Sequence, residues 1–168
     1  MNISMYQGSA PRFVHALKNL SAILDKAQAY AEAKKIDPTV LTASRLYPDM
    51  FPMSRQVQIA GDTAKGAVAR LAGVEIPMYE DTERSFGELQ ARIAKTVDFI
   101  GTVKAAQIDG SEDKDVTLKI GGQEVKFKGM QYLLGFALPN FYFHVTTAYD
   151  IMRHNGVEIG KRDFMGAT

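Results

Sequence analysis

Residues 130–154 constrain the fold more than any other part of the chain. Positions three and four apart share a helix face, and in this stretch they form two neighbouring stripes. The first stripe is apolar throughout: Leu134, Leu138, Phe141, Val145, Ala148 and Met152. The second stripe carries polar groups between apolar ends: Leu133, Phe136, Asn140, His144, Thr147 and Ile151. A helix that is apolar over most of its girth is usually central in a domain, so we expect this helix at the centre of the core.

The polar side chains of the second stripe are the candidate site. Buried polar groups need hydrogen-bond partners, so Asn140, His144 and Thr147 must face other polar groups, water or a ligand. Pro139 cannot donate to the carbonyl of Gly135, and its ring clashes there, which predicts a kink in the helix. The kink would free the Gly135 carbonyl as an acceptor close to the polar stripe.

Three further amphipathic segments precede this helix. They are predicted as helices with one apolar stripe each: 11–35, 52–72, and 82 or 85 to 103. Between residues 108 and 129, apolar and polar residues alternate on both sides of Gly121-Gly122, which predicts a two-stranded hairpin. The prediction is an all-α protein, a four-helix bundle with a small β-hairpin inserted between helices three and four. We expect one domain over residues 1–168.

Composition excludes several classes of function. The chain has no cysteine, which excludes disulfides, thiol nucleophiles and cysteine-ligated metals. Its formal net charge of +1 creates no field that would draw nucleic acid or an anionic membrane. No uncharged apolar run is long enough to span a bilayer, and the first residues lack a signal-peptide pattern. We therefore expect a cytoplasmic protein with neither nucleic-acid nor membrane partners.

Three segments give the chain a resemblance to a known superfamily. They are 46–60 (Leu-Tyr-Pro-Asp-Met-Phe-Pro-Met-Ser-Arg-Gln-Val-Gln-Ile-Ala), 92–96 (Arg-Ile-Ala-Lys-Thr) and 137–149 (Ala-Leu-Pro-Asn-Phe-Tyr-Phe-His-Val-Thr-Thr-Ala-Tyr). With the tail 154–164, they cover nearly the whole chain. It resembles the DinB/YfiT-like superfamily, and within it an uncharacterised bacterial branch of unknown function. The resemblance implies a four-helix bundle that is often homodimeric. In the wider superfamily three histidines bind a divalent metal, and some members are thiol-dependent transferases or isomerases.

The resemblance also implies a set of metal ligands. The superfamily pattern has one histidine on helix two and a His-x-x-x-His pair on helix four. Here the pair becomes Asn140-x-x-x-His144, and helix two has no histidine, so Asp62 is the nearest candidate. Asparagine is a poor ligand for zinc or nickel, so this degenerate set could hold a harder ion weakly, or the pocket could be metal-free. From the residues alone, Asp62 can also be a surface carboxylate paired with Lys65.

Three hypotheses follow for these residues. The first is an enzyme in which His144 is catalytic, either through a divalent metal or as a base on its own. The second is a bundle whose interior binds a small apolar or aromatic ligand. Its aromatic lining would be Phe136, Phe141, Tyr142, Phe143 and Tyr149. The third is structural, with Asn140 and His144 bonded to each other and to the Gly135 carbonyl in a bundle without catalysis. A homodimer is a separate prediction, which rests on the resemblance and on the surplus of apolar faces.

Overall fold

The computed structural model describes residues 3–166. This range is mostly helical and contains a small antiparallel hairpin, as predicted. The elements in chain order are α1 (Met5–Gly8), α2 (Ala10–Lys34), α3 (Pro38–Ala43), α4 (Met53–Ala72), α5 (Phe86–Thr102), α6 (Ala105–Ile108), β1 (Asp115–Ile120), β2 (Gln123–Lys128), α7 (Gly129–Tyr132), a π-helical segment (Leu133–Ala137), α8 (Leu138–His154) and α9 (Lys161–Met165). No helix within residues 3–166 is both long enough and apolar enough to cross a membrane.

Local capping signals set several helix ends. At the start of α5, the Ser85 hydroxyl accepts from the Glu88 amide at 3.3 Å, and the Glu88 carboxylate accepts from the Ser85 amide at 2.9 Å. The Asp37 carboxylate caps α3 by accepting from the Thr39 amide at 2.9 Å. Helix α4 ends at Gly73, whose φ of 72° is left-handed and therefore favours glycine. These contacts depend on sequence neighbours, which is why the predicted ends lie close to the observed ones.

A π-helical segment precedes Pro139, where the sequence predicted a kink. It covers Leu133–Ala137, and the Leu138 amide donates to a carbonyl five residues back. The wider turn accommodates a residue that has no amide hydrogen to donate. It also shifts the phase of the helix, so that both ends of the segment are buried whereas Leu134 is 58% exposed. The prediction that Leu134 belongs to the buried stripe was wrong for this reason.

The core lies between the four long helices of the described range, α2, α4, α5 and α8. Helix α8 packs most extensively on α4, whose facing side is made of small residues such as Ala60, Ala64 and Ala67. Phe141 of α8 is fully buried and meets Phe13 of α2 edge to face, with ring centroids 4.9 Å apart. This packing places the polar side chains of α8 against α4.

The hairpin pairs β1 with β2 in a register that runs from Asp115 opposite Lys128 to Ile120 opposite Gln123. Its turn contains Gly121-Gly122, with φ values of 58° and 83°. Both residues thus adopt the left-handed conformation that a two-residue hairpin turn requires and that glycine tolerates. Alternate residues of β1 are buried, so the hairpin lies against the helices through one face.

Gly129 joins the hairpin to α7 at a point where no side chain fits. A β-carbon built there would lie 1.9 Å from the carbonyl oxygen of Ser111, far inside van der Waals contact. The next amide, that of Met130, donates to the Glu112 carbonyl at 2.9 Å. The loop before β1 and the start of α7 are therefore packed backbone to backbone.

Candidate functional site

His144 is held by a glutamine of α4. The histidine is 8% exposed, and its Nδ1 lies 2.6 Å from Gln56 Oε1. On its other side, Gln56 Nε2 donates to the carbonyl oxygen of Phe51 at 3.0 Å. Because a carbonyl can only accept, this contact orients the amide with Oε1 toward the imidazole. His144 Nδ1 must then carry the proton, and Nε2 keeps a free lone pair.

The Nε2 nitrogen of His144 keeps contact with solvent. In the described part of the chain it has no hydrogen-bond partner. It is not among the side-chain atoms there that are both unpartnered and shielded from solvent, which are Arg92 Nε and Ser111 Oγ. Burial, and secondarily the positive charge of Arg55, lower the pKa of His144 below its usual 6.5. The imidazole is therefore neutral at pH 7, and its open nitrogen can accept a proton or a hydrogen bond.

Aromatic rings lie next to His144 and next to Arg55. The ring of Phe143 meets the ring of His144 edge to face, with centroids 5.2 Å apart. On the α4 side, the Arg55 guanidinium lies 5.9 Å from the ring centroid of Phe51. Both phenylalanines are more than half exposed, so these rings lie at the protein surface. Arg55 is paired with Asp81, which offsets part of its charge. We call Phe51, Arg55, Gln56, Phe143 and His144 the His144 site.

Asn140 lies one turn before His144 and also bonds to α4. Its Nδ2 donates to Thr63 Oγ1 at 2.9 Å. The predicted pair on α8 therefore meets Gln56 and Thr63, which are seven residues apart and share one face of α4. The third polar residue of the stripe, Thr147, donates to a carbonyl of its own helix at 2.7 Å. The structural hypothesis paired Asn140 and His144 with each other and with the Gly135 carbonyl, whereas in the described range they bond to Thr63 and Gln56.

Asp62 lies among different neighbours. Its Oδ1 accepts from Arg92 Nη2 at 2.9 Å and from Lys65 Nζ. The side chains of these two cations are 2% and 6% exposed, so the carboxylate neutralises charges that are nearly buried. Lys65 is the partner that the spacing of three residues predicted. Within residues 3–166, no hydrogen bond joins Asp62 to Asn140 or to His144.

Arg92 ties the connection between α4 and α5 to both helices. Its Nη1 donates to the Glu83 carboxylate at 3.0 Å and to the Glu80 carbonyl at 2.9 Å. Its Nη2 also lies 2.9 Å from an oxygen of Asp81. With Asp62, three carboxylates surround one buried guanidinium. The arrangement holds the loop in place, because the loop carboxylates Asp81 and Glu83 would lose Arg92 if the loop moved away.

The donor atoms of the predicted metal set differ in whether they are free to bind an ion. His144 Nε2 and Asn140 Oδ1 accept no hydrogen bond in the described range, whereas the Asp62 carboxylate is held by two cations. In that same range no three His, Cys, Asp or Glu side chains are grouped so that they could share an ion. Zinc and nickel take several imidazole or thiolate ligands. These residues do not fit a tight site for either, and a weaker site formed by them stays a prediction.

Gln56 and Thr63 are the site residues that the sequence prediction missed. They lie on α4, the helix on which the superfamily pattern implied a ligand and the sequence suggested Asp62. The available signal was their spacing of seven residues, which places two polar side chains on a face of α4 that is otherwise made of small apolar residues.

The aromatic residues predicted to surround a ligand fall into two groups. Phe141 and Tyr149 pack on rings of other elements, Phe13 and Phe164, with centroids 4.9 Å and 5.8 Å apart. Phe136 stacks against Tyr132 and Phe127 beside the hairpin. Tyr142 and Phe143 lie on the outer surface of α8 instead. The packed rings contribute to the core, and the outward ones belong to the surface.

Comparison with known proteins agrees with this architecture. Residues 5–165 match a family model described as Domain of unknown function (DUF1993). The chain belongs to the DUF1993 family. Among solved structures, this DUF1993 chain is similar to a DinB family member protein from Shewanella denitrificans, with 43% sequence identity and a TM-score of 0.87. The match covers 97% of this chain and 92% of that one. No curated protein matches. The DinB resemblance stated from the sequence is confirmed.

Proposed function

We propose that this DUF1993 protein, a single DinB-like four-helix bundle with its hairpin between helices three and four, binds a small molecule at the His144 site. The ligand carries an acidic proton, and His144 Nε2 removes that proton as a general base. The observation that supports this most is the chain of contacts from the Phe51 carbonyl through Gln56 to His144. It leaves the imidazole neutral, oriented and open at one nitrogen.

A thiol is the first ligand class to test. Its ordinary pKa of about 8.5 is close enough to that of an imidazole for proton transfer near neutral pH. The positive charge of Arg55, which contributes to lowering the pKa of His144, would also stabilise a thiolate left beside it. The exposed rings of Phe51 and Phe143 suit an apolar or aromatic body on the ligand.

A second candidate is a weak divalent-metal site at Asp62, Asn140 and His144. It is supported by the i, i+4 spacing of the two α8 residues and by their free donor atoms, His144 Nε2 and Asn140 Oδ1. Against it stand the two cations that already neutralise Asp62. A hard ion such as Mg²⁺ suits oxygen ligands better than zinc would.

Metal content distinguishes these two candidates. The untagged protein is purified without chelator, and its metals are quantified by plasma mass spectrometry beside His144→Ala and a matched control, His15→Ala, which changes an exposed histidine outside the site. We expect the same low metal content in all three. Near-stoichiometric metal in the wild type and the control, lost in His144→Ala, would replace the first candidate with the second.

Proton transfer is tested by the rate at which iodoacetamide alkylates benzyl mercaptan in the presence of the protein. The chain has no cysteine, so the reagent has no competing thiol on the protein. We expect the wild type and His15→Ala to accelerate the reaction, and His144→Ala to leave it at the rate without protein. Equal rates with wild type and His144→Ala would refute a base at this site. The homodimer stays a prediction, which sedimentation at micromolar concentration tests.

A further inference from the structure

An apolar groove lies on the outside of the helices, between α1 and the π-helical segment. Its volume is about 410 Å³, and it shares no residue with the His144 site. Ile3, Met130 and Leu134 contribute walls, and each of these side chains is about half exposed or more. Adjoining apolar side chains left open to water in this way form a candidate binding surface.

Three polar side chains, Ser4, Arg12 and Tyr142, line the same groove. The Ser4 hydroxyl already accepts from the Gln7 amide at 3.2 Å as the cap of α1. Within residues 3–166, Arg12 forms no ion pair, and the Tyr142 hydroxyl forms no hydrogen bond. Burial raises the pKa of Tyr142, and the charge of Arg12 opposes that rise, so the two groups lie within electrostatic reach of each other. The residues that line the groove include no aspartate or glutamate. The groove therefore combines apolar walls with one cation and two neutral hydroxyl groups, of which Ser4 is engaged in the helix cap.

We propose that this groove binds an amphipathic monocarboxylate. The carboxylate accepts from the Arg12 guanidinium and from the Tyr142 hydroxyl, and the alkyl chain lies along Met130, Leu134 and Leu138. A single cation without an acidic neighbour matches a single anionic head group. Methionine and leucine walls suit an alkyl chain because they are apolar and can adjust to its path.

The charge and the chain make separate contributions, and each can be varied by itself. Each methylene that enters the groove should tighten binding by about fourfold, until the groove is full. The charge-assisted hydrogen bond to Arg12 should contribute about tenfold. Octanoate and decanoate differ only in the chain, whereas octanoate and octanol differ only in the head group.

The experiment is isothermal titration calorimetry of the full chain with octanoate, decanoate and octanol. The variants are Arg12→Gln, Leu134→Gln and a matched control, Arg153→Gln, which removes an exposed arginine outside the groove. Arg12 and Leu134 are exposed, so neither variant should fail to fold. We expect decanoate to bind more tightly than octanoate, and octanoate more tightly than octanol. Arg12→Gln should weaken the affinity for octanoate about tenfold and leave the affinity for octanol unchanged. Leu134→Gln should weaken the affinity for all three ligands. Arg153→Gln should bind each ligand as the wild type does.

Two outcomes would overturn the proposal. Equal affinity for octanoate and octanol, with no effect of Arg12→Gln, would show an apolar surface without an anion site. Absence of binding, together with a wild-type dimer in sedimentation that Leu134→Gln converts to a monomer, would show that a second copy of the chain covers the groove. Both outcomes are independent of the base at His144, because none of the three variants changes a residue of the His144 site.

Discussion

Replacing Gln56 with leucine tests whether α4 sets the state of the His144 imidazole. Gln56 is 1% exposed, and leucine is similar in size, so the change removes two hydrogen bonds without opening a large cavity. One of these bonds leads to the carbonyl of Phe51, an exposed residue beside the start of α4, where water can take its place. The other leads to His144 Nδ1, which is buried. The variant therefore leaves one ring nitrogen without a partner.

The cost of that unpaired nitrogen sets the expected magnitude. A buried polar group that loses its partner costs about 1–3 kcal/mol, and the newly buried leucine side chain offsets part of this. We expect the free energy of unfolding to fall by about 2 kcal/mol, which lowers Tm by about 4–8 °C in a chain of this size. The tautomer should change as well, because without Gln56 Oε1 the proton is better placed on Nε2, where water can accept its hydrogen bond.

Urea denaturation measures the stability, and a long-range ¹H–¹⁵N correlation spectrum of the imidazole identifies the tautomer. Gln28→Leu is the matched control, since it removes an amide that donates to Glu32 at 3.0 Å on the surface of α2. That variant should stay within about 0.5 kcal/mol of the wild type. If Gln56→Leu is as stable as Gln28→Leu and the His144 tautomer is unchanged, then Gln56 does not orient the imidazole.

The wild type should lose stability relative to His144→Gln as the pH falls below about 6.5, because the unfolded chain takes up a proton that the buried imidazole, with its lowered pKa, resists. Urea denaturation near neutral pH and at about pH 5 tests this, and parallel losses in the two proteins would contradict it. Arg92→Met should lower the free energy of unfolding by about 3–5 kcal/mol, because it leaves the surrounding carboxylates without their positive charge. Lys95→Met, at an exposed cation, should cost less than about 1 kcal/mol, and similar melting temperatures for the two variants would refute the buried network. Gly129→Ala should destabilise by about 3 kcal/mol through its backbone clash. Gly135→Ala, with open space around it, should be neutral or stabilise by about 0.4–1 kcal/mol; thermal melts in the opposite order would overturn both expectations.

The parts of the fold that could be predicted are those governed by near neighbours in the chain. Apolar residues at helical spacing, the cap at Ser85 and the stop at Gly73 act within one or two turns, so the helical segments followed from the sequence. The Gly121-Gly122 turn is local in the same way. The side of the helix on which Leu134 lies was mispredicted. The π-helical segment adds a residue to one turn, and the spacing of apolar residues does not reveal it.

The candidate site was half predictable. Asn140 and His144 stand out because polar residues are conspicuous in an apolar stripe, whereas glutamine and threonine are ordinary on any helix. Gln56 and Thr63 gained their significance only when α4 packed against α8. Asp62 shows the same division, since Lys65 three residues away was predicted and Arg92 thirty positions away was not.

By itself, the sequence determined that the chain is mostly helical, that it contains a hairpin, and that α8 carries an imidazole and an amide on one face. Periodicity and caps act along the chain, so they are readable before any packing is known. The tertiary structure alone decided which atoms those groups meet. The Phe51 carbonyl orients Gln56, and Gln56 sets the proton on His144 Nδ1. Such a hydrogen bond depends on the relative position and rotation of two helices, and its donor and acceptor are 88 residues apart in the chain.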